Sequence, residues 1–162
     1  MVRFIFLLTT LIFSINAYCN IGDLVIDGSI ANANSDKGYV ITAKQFDSFP
    51  RDTITTTTPW TPTGKKVLFK GVKLNYVLKR AGATGTKLKF HALNDYEIIV
   101  NMEDVDKYNI LLATEMDGKR LKIRNFGPYF LIYPLDEHYI ELNTPHYLAR
   151  FIWQVDKITV LK

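Results

Sequence analysis

The chain has 162 residues, 48% of them hydrophobic and 13% aromatic, with 20 basic and 16 acidic side chains and one cysteine. That length suits one ordinary domain of ~100–200 residues, and the hydrophobic content with a net charge of only +4 excludes a disordered chain. A single thiol excludes a disulfide scaffold and any zinc site built from several cysteines.

Arg3 is the only charge before Asp23, and it precedes the apolar run Phe4–Ile15. A basic start, a short apolar run and small Ala17 at its end predict a secretory signal over residues 1–17. Cleavage after Cys19 is the alternative, with Ala17 three residues back. The run is shorter than the ~20 apolar residues that span a bilayer, so the mature chain is expected not to span a membrane. A buried N-terminal helix or an uncleaved anchor is the competing reading. Bulky Tyr18 before Cys19 argues against a lipid-anchored cysteine. Loss of Arg3 with the signal takes the charge from +4 to +3. Export predicts a periplasmic or secreted protein, and the absence of a twin arginine predicts export as an unfolded chain, without a cofactor inserted beforehand.

Residues 22–162 then read as one domain. Leu24-Val25-Ile26 and Tyr39–Thr42 read as strands, with a turn at Asp27-Gly28. A short helix over Ala43–Phe49 stops at Pro50, because the residue before proline is pushed out of the helical region. Thr53–Thr58 is β-branched and reads as strand or extended loop. After the strand Val67–Phe69, the residues Leu74, Val77, Leu78 and Ala81 form the apolar stripe of one helix. Lys79 and Arg80 stand in its last turn and Gly82 follows it. Leu88–Ala92 and Tyr96–Val100 alternate around Asn94-Asp95 as a hairpin. Asn101 is placed to cap a short helix, with Glu103 and Asp104 in its first turn. Ile110–Ala113 reads as a buried strand, reversed by Asp117-Gly118 into Leu121–Ile123. Tyr129–Tyr133 is a further strand, Thr144-Pro145 opens a short helix, and Trp153–Val160 closes the chain as a strand. Roughly eight strands mixed with two or three short helices, without a βαβ rhythm, predict an α+β fold with mixed, mostly antiparallel sheets.

The chain has no phosphate-binding glycine loop, dinucleotide fingerprint, zinc-protease histidine pair or serine nucleophile elbow. His138 and His146, with Asp136, Glu137 and Glu141 nearby, have metal-ligating chemistry but no recognised ligand spacing. His91 reads as a half-exposed strand histidine. Eight basic residues and no acid fall between Lys65 and Lys89, and Lys119, Arg120, Lys122 and Arg124 add four more. Gathered on one face they would attract an anion or an acidic partner; scattered, they form an ordinary solvated surface. Nucleic acid is excluded as a partner by the export signal and the lack of an aromatic-basic binding motif.

Phe69-x-Gly71-Val72-x-Leu74-x-x-Val77-Leu78 followed by Ala81-Gly82 resembles the first helix of the sulfite-oxidase-like molybdopterin-binding domain. Phe90-x-Ala92-x-Asn94-Asp95-Tyr96, Leu111–Leu121, Gly127–Pro134 and Trp153–Val160 continue the resemblance in order. It covers the chain from about Gly22 to the C-terminus and is closest to small stand-alone exported members. The resemblance implies a β-rich α+β fold around a pterin-sized cleft. It also implies a molybdenum-ligating cysteine a few residues before a tryptophan that looks like Trp60. Thr56 falls at that position, and a hydroxyl is no substitute for a soft thiolate. The family's cofactor-binding arginine in the Gly-Pro strand is matched by Phe130, so a bidentate partner for phosphate is lost.

By motif position the resemblance implies a cleft of Thr56, Trp60, Asn94, Asp95, Tyr96, Arg124, Asn125 and Phe130. Trp60 and Tyr96 as core residues, and Asn94-Asp95 as a turn, is the plainer reading. Molybdopterin is the cofactor that the family brings in, while the departures from its pattern favour no cofactor. The expectation is a non-catalytic module that binds a small anionic or pterin-like ligand, or a periplasmic or membrane sensor protein. A molybdopterin-dependent oxidoreductase is the alternative, and an unrelated structural or adhesion module is a third.

Overall fold

The computed structural model describes residues 22–162; the expected signal segment and Cys19 lie outside the described residues. Ten strands and five helices follow one another in a mixed order. The strands are β1 (Leu24–Gly28), β2 (Tyr39–Ile41), β3 (Asp52–Thr56), β4 (Val67–Lys73), β5 (Lys87–Ala92), β6 (Glu97–Asn101), β7 (Leu111–Met116), β8 (Lys119–Arg120), β9 (Tyr129–Ile132) and β10 (Trp153–Leu161). The helices are α1 (Ala43–Asp47), α2 (Leu74–Ala81), α3 (Met102–Lys107), α4 (Tyr139–Leu142) and α5 (Pro145–Leu148). The α+β class is as the sequence predicts, with five helices in place of two or three. The one the sequence does not mark is α4, a single turn too short to show a periodic apolar stripe.

The sheet runs β2-β1-β10-β9-β7-β4-β3, with β5 joined to β10, β6 to β5 and β8 to β7. Only β1 and β10 pair in parallel; the other ladders are antiparallel. The strand β10 is central because it changes partners along its length. Trp153 and Val155 pair with β9, Val155 and Lys157–Leu161 pair with β5, and Lys157–Val160 also pair with β1. The β9 ladder shifts register at Gln154, whose φ of 59° breaks the extended run, and the β5 ladder shifts between Val155 and Lys157. A bulge of this kind bends a strand and re-aims its side chains.

Strands and helices together bury one continuous core that includes Phe46 of α1, Phe69 of β4, Phe90 of β5, Tyr129 and Phe130 of β9, and Tyr133 just past it; β9 is buried on both faces. The helix α2 contributes Leu74, Val77, Leu78 and Ala81, all buried on one face. It ends at Gly82 in the left-handed conformation, φ 65°, where the Gly82 N–H donates to the carbonyls of Leu78 and Lys79. Gly71 serves close approach instead: a Cβ there would lie 2.1 Å from the Leu112 carbonyl oxygen of the neighbouring β7.

Thr42 and Gln45 form a reciprocal capping box on α1. Asn101 stands at the N-cap of α3, but its side chain makes no capping bond there. Among the described residues no helix is long and apolar enough to cross a membrane.

Candidate functional site

An apolar cleft of about 310 Å³ is lined by Trp60, Asn94, Tyr96, Ala149, Phe151, Ile152 and Trp153. Three separate parts of the chain build it. Trp60 comes from the turn after β3, Asn94 and Tyr96 from the β5–β6 hairpin, and the floor from residues 149–153, where α5 passes into β10.

Hydrogen bonds fix both exposed rings to that floor. The Trp60 indole N–H donates to the Phe151 carbonyl at 2.8 Å, and the Tyr96 hydroxyl donates to the Ala149 carbonyl at 3.2 Å. Trp60 and Trp153 meet edge to face, with ring centres 6.4 Å apart and planes at 77°. Trp60 is 50% exposed and Tyr96 43% exposed, so each offers an open face. Asn94 accepts from the Tyr96 backbone N–H at 3.2 Å. Flat apolar walls with few polar groups suit a small ring-bearing ligand.

Trp60, Asn94 and Tyr96 are therefore brought together. The other five residues named from sequence lie elsewhere. Thr56 is fully buried in β3, where its hydroxyl accepts from the Asp136 backbone N–H at 3.1 Å. Phe130 is fully buried between Phe69 and Phe126, with ring centres 5.7 Å and 5.2 Å away. Asp95 occupies the left-handed corner of the hairpin, φ 64°, and its carboxylate lies 3.6 Å from His91 in open solvent. Arg124 and Asn125 are exposed in the loop between β8 and β9. That loop reaches the cleft only indirectly, through the contact of Phe126 with Trp153 at 5.9 Å.

Sequence reasoning missed the floor. Trp153 reads as an ordinary strand residue, Phe151 as an apolar residue of the short helix with Tyr147 and Leu148, and Ala149 and Ile152 carry no signal; the helix ends at Leu148. It also missed the buried pair behind the floor. Arg150 lies between two lining residues but turns inward, where it pairs with Asp104 of α3 and donates to His146 at 2.8 Å. The Tyr147 ring covers the guanidinium at 4.7 Å. Burial pushes the Asp104 carboxyl above its usual range, and the Arg150 charge pulls it back.

The histidines go to different partners. His91 meets Asp156 at 2.7 Å, His138 packs edge-on against Tyr108, and His146 serves Arg150. Among the described residues no group of three or more His, Cys, Asp or Glu side chains is arranged to hold a metal ion. The basic run is divided as well: Lys65, Lys66, Lys73, Lys89 and Arg120 each pair with a carboxylate.

The model of the oxidoreductase molybdopterin binding domain matches residues 32–138. The chain belongs to that family. Among solved structures it is similar to the sulfane dehydrogenase SoxCD from Paracoccus pantotrophus, with a TM-score of 0.65 and 19% identity. The match covers 86% of this chain and 38% of that one, so this chain spans well under half of its length. At that identity the likeness establishes the fold. No curated protein matches the chain. The molybdopterin-domain match ends before residues 149–153, so the floor of the cleft lies outside the matched span.

Two positions that the resemblance assigns to the family's molybdenum–pterin group carry other chemistry. At the position of the expected thiolate, the Thr56 hydroxyl is buried and already engaged by Asp136. Phe130 stands for the arginine and is packed into the core. No charged side chain lines the cleft to meet a phosphate.

Proposed function

We propose that this member of the molybdopterin-binding-domain family is an exported, non-catalytic binding module that holds a small ligand in the Trp60–Tyr96–Trp153 cleft. The cleft itself carries this reading: two half-exposed rings, each tied by its own polar atom to the floor, leave open apolar faces. Rings held in place before binding lose little freedom when a ligand arrives. The charged N-terminus and the apolar run after it support export. On this reading a periplasmic or membrane sensor protein is the partner that responds to occupancy.

The test is thermal-shift screening of pterins and other small ring compounds against the wild type and Trp60→Ala. At least one compound is expected to raise the melting temperature of the wild type and not of the variant. A screen in which no compound separates the two proteins removes the small-ligand reading. The oxidoreductase alternative is tested by metal analysis of protein purified from its native compartment. Molybdenum near one atom per chain would overturn the non-catalytic reading.

A further inference from the structure

We infer that the ligand of the Trp60–Tyr96–Trp153 cleft is an uncharged planar aromatic molecule of one or two rings. This rests on the reading of that cleft as a ligand site and narrows it by charge.

The lining offers an anion no positive charge, and most of its N–H donors are already engaged. The indole N–H of Trp60 is committed to Phe151, and the hydroxyl proton of Tyr96 to Ala149. The backbone N–H groups of Ala149, Arg150 and Phe151 donate to Pro145, Tyr147 and Leu148. The one cation of the floor segment, Arg150, is buried against Asp104. An anion entering the cleft would shed water and gain no charged partner, which costs far more than burying a neutral group.

A cation would gain cation–π attraction from the rings but no ion pair to offset the loss of its water. No carboxylate lines the cleft. Asp95, next in sequence to two lining residues, has a side chain 96% exposed and directed at His91.

The remaining polar capacity is small and specific. Asn94 uses its side-chain oxygen on the Tyr96 N–H, which leaves its amide N–H₂ as a donor. The Tyr96 oxygen still has a lone pair to accept with. The Trp153 indole N–H has no acceptor among the described residues either, and these neutral donors and one acceptor beside flat apolar walls match a neutral ring carrying a carbonyl or ring amide. The volume of about 310 Å³ is at the low end for ligand pockets, which limits the ring count.

The test uses three two-ring probes of similar shape and different charge: neutral carbostyril, anionic quinaldate and cationic N-methylquinolinium. Each is titrated by calorimetry into the full mature chain, and into Trp60→Ala and Tyr96→Ala after both variants are shown to melt cooperatively. Carbostyril is expected to bind at least about tenfold more tightly than either charged probe, a difference of about 1.4 kcal/mol. Its affinity should hold within about twofold between low and high salt, because no ion pair is available to screen. Each variant should weaken it about tenfold or more. Equal or tighter binding of quinaldate or N-methylquinolinium at the same residues overturns the charge assignment and leaves the cleft as a ligand site. Carbostyril binding untouched by either substitution, or no binding of any probe, overturns both.

Discussion

Phe130 and Trp60 are both large aromatic residues assigned to one site by motif position, yet they do opposite work. Phe130 is fully buried against Phe69 and Phe126, so Phe130→Ala should cost about 3–5 kcal/mol in chemical denaturation, the usual range for emptying such a site. Trp60 is half exposed, and its truncation removes one hydrogen bond and one ring edge contact. Trp60→Ala should cost only about 1 kcal/mol, near the net worth of a single hydrogen bond, while removing ligand binding. Thr56 sides with Phe130. Its side chain is out of solvent, so a thiol introduced by Thr56→Cys, with Cys19 replaced by serine, should stay unreactive to Ellman's reagent in the folded protein and react once the chain is denatured. Rapid labelling under native conditions would show that β3 opens at this point. The sequence marks all three residues in the same way because motif position carries no information about depth.

At the scale of elements, two glycines have different duties: Gly71 lets β4 lie close against β7, and Gly82 ends α2 beside Ala31 and Asn32. Gly71→Ala sets a methyl group against the Leu112 backbone, which cannot swing aside, and should cost about 1–3 kcal/mol at the upper end of the overpacking range. Gly82→Ala forces alanine into the left-handed region and should cost about 1 kcal/mol, seen as a lower urea midpoint. The α2 helix was readable because its stripe, its basic last turn and its terminal glycine all state the same boundary. The hairpin at Asn94–Tyr96 was readable because alternation stops and resumes across a turn. The return strand was misplaced: Asp117-Gly118 makes the turn, but the strand is Lys119–Arg120, directly after it, and Leu121–Ile123 have already left the ladder. The cleft floor was not readable. Residues 149–153 are positioned by a bond from Tyr96, a bond from Trp60 and the inward turn of Arg150, and each of these partners is more than forty residues away. No local pattern encodes such a placement.

Across the whole molecule, Asp104 and Arg150 tie α3 to the segment that leads into β10. Both side chains are nearly inaccessible, and breaking a buried pair by removing one partner costs about 3–5 kcal/mol. Arg150→Met should show that loss near neutral pH. The sign of its pH dependence follows from the carboxyl. Burial raises the Asp104 pKa, and without Arg150 nothing of comparable strength opposes the rise. A folded-state pKa above the unfolded value gives stability that is kept at low pH and lost as pH rises through the folded value. The variant should therefore lose less relative to the wild type when unfolding is measured in mild acid. A deficit that stays constant with pH would mean that Asp104 does not titrate with the fold.

The placement of Trp60 against Trp153 has an optical consequence. These are the only two tryptophans in the chain, and both face one cleft. Indole emission from this protein therefore originates wholly at the candidate site. Occupancy can be followed on the unlabelled chain in cell extracts fractionated only enough to isolate it, and Trp60→Phe would leave Trp153 as a single emitter whose colour records whether the cleft is wet.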